Sequence, residues 1–166
     1  GTERLLDVMR RQNVTLAAKG GGPLVWAVHM ISPSTYDDAR WDRFVANMIE
    51  MNVGVISCPS AAIGMRQLRS LHSPTYNSIP RVLELAEAGV PIRLGSDNVA
   101  DMCSPSTTAD LTEEVFVLSA AVRYYKTEIL AKFAAGVALS EDDRAIIREH
   151  LEKNDEEMAR LVRRFG

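Results

Sequence analysis

Three short stretches of this 166-residue sequence carry residue types that could do chemistry: His29, the turn Cys58–Pro59–Ser60, and the run Gly95–Ser96–Asp97–Asn98. Each directly follows an apolar segment of strand length. An aspartate in that position suits a divalent cation, because a carboxylate charge is expensive to bury unless a metal or another charge faces it. Asp97 can equally cap the turn that follows. His29 can serve as an acid, base or ligand, or can be a core histidine hydrogen-bonded to backbone. Cys58 is a candidate lining residue, although no histidine accompanies it in a nucleophile pattern, and a small buried apolar role suits it as well. Of the two remaining histidines, His72 lies in a long loop that could meet a ligand or simply be exposed. His150 reads as a surface residue on a charged helix.

The elements that must position these residues follow from hydrophobic periodicity. "TERLLDVMRRQN" predicts a helix capped by Thr2 and ending near Asn13. "PLVWAVHM" is a continuous apolar run, which suits a parallel strand buried on both faces. "SPSTYDDARWDRFVANMIEMN" repeats its apolar residues with helical period, and "VGVISC" is a second strand stopped by Pro59. Residues 61–76 have loop character with room for one helical turn, and loops of that length are often functional. "SIPRVLELAEAG" predicts a helix with Pro80 in its first turn and Gly89 at its end, and "VPIRLGSDN" is a third strand. Alternating strands and helices with short turns imply right-handed parallel units and an α/β fold. Three helices complete the pattern, over about 109–124, 128–135 and 141–164. The last is capped by Ser140 and carries an apolar stripe from Leu139 through Ile146, Ile147, Leu151, Met158, Leu161 and Val162. If the fold is a parallel barrel, all three chemistry-bearing stretches fall at the carboxyl ends of strands, where such barrels build their sites.

Composition narrows the function classes. The chain is 46% hydrophobic and 25% charged, with net charge −3. That balance fits a globular domain, and the 19 Lys and Arg residues form no basic stripe for a phosphate backbone, so nucleic acid is not the expected partner. Two cysteines without CxxC spacing indicate neither a disulfide framework nor a zinc knuckle, and suit a reducing, cytoplasmic setting. No apolar run approaches the ~20 residues of a membrane helix, so no membrane partner is expected.

The stretches "VHMISPSTYDDARWDRFVANMIEMNVGVISCPSA" and "HSPTYNSIPRVLELAEAGVPIRLGSDNVADMCSP" resemble the amidohydrolase superfamily from its sixth barrel strand through its eighth. The likeness is to the cytosine deaminase branch, which includes hydrolases of N-alkylated triazines. It runs over about residues 24–105, with 107–166 as C-terminal helices of one partial barrel domain. It implies the second half of a (β/α)8 TIM-type barrel, with about three parallel strands, and a divalent metal, zinc or iron, in the complete enzyme. Asp97 would match the eighth-strand aspartate that ligates the metal and takes a proton from the attacking water. His29 would match the sixth-strand histidine that hydrogen-bonds that water or the substrate oxygen. His72, Asn98 and Cys58 fall where substrate is lined. Asn98 stands where cytosine deaminase has a second aspartate, which favours a related ring or an amide over cytosine.

The resemblance also implies ligands that this chain does not carry. The family's His-x-His pair and fifth-strand histidine have no counterpart among His29, His72 and His150. A full barrel needs about 250 residues, so the first half is expected to lie elsewhere, in a longer chain or a complementary one. Two function classes follow. One is a metal-dependent amidohydrolase acting on a C–N bond of a small nitrogen heterocycle, with a homo-oligomer possible. The other is a non-catalytic half-barrel chain that needs a partner segment to form its metal site.

Overall fold

The computed structural model describes residues 1–64, 79–102, 104–105 and 107–165. Helix α1 (Thr2–Arg11) precedes strand β1 (Val25–Val28), a short 3-10 turn (Ser32–Thr35), α2 (Asp38–Glu50), β2 (Val53–Ser57), α3 (Pro59–Gly64), α4 (Val82–Glu87), β3 (Ile92–Leu94), α5 (Leu111–Val122), α6 (Thr127–Ala135) and α7 (Glu141–Phe165). The three strands form one parallel sheet in the order β1-β2-β3. Val25 pairs with Val53 and Val28 with Ile56, while Val55 pairs with Ile92 and Ser57 with Leu94. Helix α2 links β1 to β2, and α4 lies between β2 and β3, as right-handed crossovers require.

Strand alternation divides the sheet into two unlike faces. Val53, Val55, Ile92 and Leu94 join Phe44, Met48, Leu85 and Phe133 in the core, and Val25 and Ala27 pack against it from β1. The alternate residues Trp26, Val28, Ile56 and Arg93 point the other way. There the Trp26 ring lies across Gly54, so closely that a β-carbon on Gly54 would come within 2.6 Å of two ring carbons. The Arg93 guanidinium stacks on the same ring at 4.6 Å from its centroid. Only glycine on the central strand allows side chains of the two outer strands to meet over it.

The apolar run of β1 suggests burial on both faces, and the structure corrects this. Val25, Trp26 and Ala27 are half-buried and Val28 is 51% exposed, because β1 is an edge strand whose second face carries no helix among the described residues. Thr2 is not a cap either: Gly1 holds that position and no side chain caps α1. Pro80 precedes α4, whose N-cap is Arg81, and part of the loop after β2 is the helix α3. Gly89, at φ +96°, closes α4 as expected. Its N–H bonds to Ala86 O (3.1 Å) and that of Val90 to Leu85 O (2.9 Å), the paired bonds of a Schellman motif. His150 is half-buried rather than a plain surface residue, since it packs edge-on against the buried ring of Tyr124 at 4.9 Å. The stripe of α7 is covered only at its start. Ile147 is buried and Leu151 half-buried, and every residue from 152 to 165 is exposed. Among the described residues no helix is long and apolar enough to cross a membrane.

The start of α7 is fixed by a carboxylate. Asp143 accepts hydrogen bonds from Lys132 Nζ (2.6 Å), Ser140 N (2.8 Å) and Ser140 Oγ (2.8 Å), while its own N–H donates to Ser140 Oγ (3.2 Å). These donors, Lys132 foremost, hold the Asp143 carboxyl down at about 2. A depressed folded-state pKa stabilises the fold above the unfolded value, near 4, and that contribution is lost as pH falls through the folded value. Asp143→Asn is therefore expected to lower stability in urea unfolding at neutral pH. The gap to the parent protein should narrow as pH falls from about 4 toward about 2. A gap that stays constant down to the lowest pH would refute this role.

Candidate functional site

A parallel sheet sends all its carboxyl ends to one edge, and there the ladder continues one residue past each outer strand. His29 N donates to Ile56 O and Gly95 N to Ser57 O, both at 2.9 Å. Beyond those bonds the chain turns sharply. His29 (φ +67°), Met30 (φ +47°) and Asp97 (φ +62°) all take left-handed backbone, which non-glycine residues seldom adopt. Such positions persist where surrounding contacts determine them, and they concentrate at functional sites.

The turns bring His29 from β1 and Asp97 from β3 together across the end of β2. His29 Nε2 lies 3.6 Å from Asp97 Oδ2, inside ion-pair range and beyond a direct hydrogen bond. Both side chains are about one-third exposed, so solvent reaches them. The other ring nitrogen, His29 Nδ1, is buried with no hydrogen-bond partner among the described residues. Nε2 is thus the nitrogen that looks onto the shared space.

Cys58 lies beneath this pair. It is buried, its sulfur sits 3.4 Å from where a β-carbon on Gly95 would stand, and the Asp97 backbone N–H donates to it. Burial, helped by the negative charges of Asp97 and Glu114, pushes the thiol up to about 11. At neutral pH it is a protonated, apolar packing group without nucleophilic character. Asn98 Nδ2 donates to the Asp101 carboxylate, whose other oxygen accepts from Ser104 N at 2.8 Å, so Asn98 shapes the loop beside Asp97. His72 lies outside the described residues.

One contributor was not singled out from sequence. Glu114 is a buried carboxylate in the first turn of α5, and it accepts hydrogen bonds from Ser60 N (3.0 Å) and from Ser60 Oγ. It ties α5 to the turn after β2 and so holds the floor of the site. A glutamate in a helix's first turn is also what the helix dipole favours, so the sequence carries no signal separating the two roles.

Among the described residues, no group of three or more His, Cys, Asp and Glu side chains could hold a metal ion. Asp97 and His29 are two donors where a catalytic ion commonly takes three protein ligands, so by themselves they do not make a metal site. What they do offer is a carboxylate able to accept a proton beside an imidazole able to hydrogen-bond the same molecule.

The burial and raised pKa of Cys58 predict resistance to alkylation. With iodoacetamide at about pH 8, where a thiol of ordinary pKa reacts, Cys58 should stay unmodified in the folded protein and become labelled after denaturation. Peptide mass mapping reads the outcome, and rapid labelling of folded protein at Cys58 would contradict the site geometry.

No family model and no curated protein matches this sequence. Its fold does match crystal structures of 5-methylcytosine deaminase from Klebsiella pneumoniae, one liganded with 5-fluorocytosine and one with phosphonocytosine. Each is 17% identical to this chain with a TM-score of 0.58, over 80% of this chain and 38% of the deaminase chain. The chain thus spans well under half the length of those structures, and at that identity the likeness is one of fold. Three parallel strands in an open sheet, flanked by helices and closed by a C-terminal helix, are part of the TIM-barrel architecture that those enzymes carry.

Proposed function

We propose that this chain is the C-terminal part of an amidohydrolase barrel that hydrolyses a C–N bond of a small nitrogen heterocycle, by deamination or amide cleavage. The observation that carries the reading is the meeting of His29 Nε2 and Asp97 Oδ2 at the carboxyl end of the sheet, where barrel enzymes place their chemistry. Residues 24–105 supply the strands and site residues of a single partial domain, and 107–166 its closing helices. A divalent ion, zinc or iron, would take Asp97 as one ligand and its other ligands from outside this chain, and when bound it supplies Lewis-acid activation of water. A reducing, cytoplasmic setting is the one we assign.

The chain's own residues perform the proton transfers. Asp97 accepts a proton from the water that adds to the ring carbon bearing the leaving nitrogen, and then returns it to that nitrogen, so that ammonia or an amine departs. His29 Nε2 hydrogen-bonds the attacking oxygen and steadies the charge that develops on it. Asn98 keeps the Asp97 loop in place through Asp101. The backbone N–H of Asp97 is engaged with Cys58, which restrains the carboxylate's position. His72 is assigned to substrate lining together with Asn98 and Cys58, the buried Cys58 acting by shape alone.

The competing reading is a non-catalytic half-barrel that needs a complementary segment. The two-donor site favours that reading for the isolated chain, which is expected to bind zinc or iron weakly. Stoichiometric, tight metal in the isolated chain would contradict both readings.

The decisive test uses the protein that contains this segment with the remaining barrel strands. Ammonia or amine release from a panel of pyrimidines and triazines should fall by more than about 10²-fold in kcat for Asp97→Asn, since proton acceptor and anionic ligand go together. His29→Asn should retain metal and lose roughly 10²–10³-fold. Near-parental turnover with full metal occupancy in Asp97→Asn would overturn the assignment.

A further inference from the structure

The stripe that docks α7 onto the body runs on past the body's edge. Read as a heptad, Leu151, Met158 and Phe165 occupy one set of seam positions and Ile147, Asn154 and Leu161 the other. Ile147 is buried at the inner end and Leu151 half-buried. Thereafter the same seam is bare, with Met158 53%, Leu161 38% and Phe165 74% exposed, and Val162 beside it 64% exposed. Over the exposed part, charge is segregated along the axis. Glu152, Asp155, Glu156 and Glu157 cluster in the first half, where the one cation, Lys153, is paired with Glu149 (2.5 Å), whereas Arg160, Arg163 and Arg164 occupy the second.

We propose that the exposed half of α7 is a self-association surface whose occupant is the α7 of a second copy of this chain, running antiparallel. A helix that is acidic in its first half and basic in its second is complementary to itself only when reversed, since a parallel copy sets acid against acid and base against base. The register follows from the seam. Met158 meets Leu161 of the other copy, and Asn154 meets Phe165. Alignments shifted toward the inner end drive one copy into the other's body, where Ile147 is already buried against α4. In this register the residues flanking one side of the seam are Glu157 and Arg164, and a two-fold axis brings Glu157 of each helix, which in its own helix pairs with Arg160 at 2.6 Å, against Arg164 of the other. The interface is isologous, as closed dimers require. With few apolar side chains per helix it is far smaller than the roughly 1,600 Å² of a standard interface, so the association is weak and concentration-dependent.

Sedimentation equilibrium of the full chain from about 10 µM to about 1 mM, the range in which weak complexes of this affinity populate, should show a monomer–dimer equilibrium. Met158→Asp with Leu161→Asp should abolish it while leaving the circular dichroism and Tm unchanged, because both side chains are exposed. Glu157→Arg and Arg164→Glu should each weaken association about tenfold or more, and the two together should restore it. A monomer throughout, association indifferent to the Met158/Leu161 variant, or single charge reversals without effect would each overturn the proposal. That last outcome is what a parallel pairing gives, since there Glu157 does not face Arg164.

Discussion

Two ladders of parallel hydrogen bonds hold β2 between β1 and β3, and nearly everything else in this structure follows from that arrangement. Parallel pairing makes the strands share a direction, so the chain must return across the sheet through α2 and then through the segment containing α3 and α4. Helices α2 and α4 lie on one face and bury it, and Trp26, Val28, Ile56 and Arg93 stand on the other. The same shared direction delivers the ends of all three strands to one edge. His29 and Asp97 are 68 positions apart by their numbering, yet they meet because His29 makes the last ladder bond of one outer strand and Asp97 lies two residues past that of the other.

The meeting depends on local backbone that ordinary residues resist. Left-handed φ at His29 and Asp97 turns each side chain back over the end of β2 in place of continuing the strand's alternation. Both positions are braced. His29 is held by its ladder bond to Ile56 O, while Asp97 is restrained through its N–H to Cys58 and through the Asn98–Asp101–Ser104 turn that follows. Glu114 anchors the chain just after β2 from outside the sheet by holding Ser60. Two side chains so supported are placed by their surroundings, which is the preorganisation that the proposed function requires.

The molecule spends its apolar surface unevenly. Helices α2, α4 and α6 are consumed by the core, while among the described residues the second sheet face is only partly covered and the outer half of α7 is uncovered. The sheet face matches what a barrel would enclose, and the helix stripe matches what a second helix would cover. Exposed apolar surface in contiguous patches marks interaction sites in general, and here the two patches lie on different elements with different geometry.

The sequence by itself determined the parallel α/β architecture, because continuous apolar strands alternating with amphipathic helices admit few other topologies. It also singled out His29, Cys58, Asp97 and Asn98, since each directly follows an apolar strand. The helix ends at Ser140 and Gly89 were legible for a local reason: capping chemistry involves residues three or four apart. What the sequence could not supply was any fact that depends on which face of an element meets which neighbour. Val28 reads as core and is exposed because none of the described elements covers the edge strand's second face. Glu114 reads as a dipole-satisfying glutamate and is a buried tether. His150 reads as surface and packs edge-on against Tyr124. The outer residues of α7 read as a core stripe and have no core beneath them. Periodicity records that a face is apolar. Only the tertiary arrangement decides whether something lies against it, because burial depends on long-range contacts that no local pattern encodes.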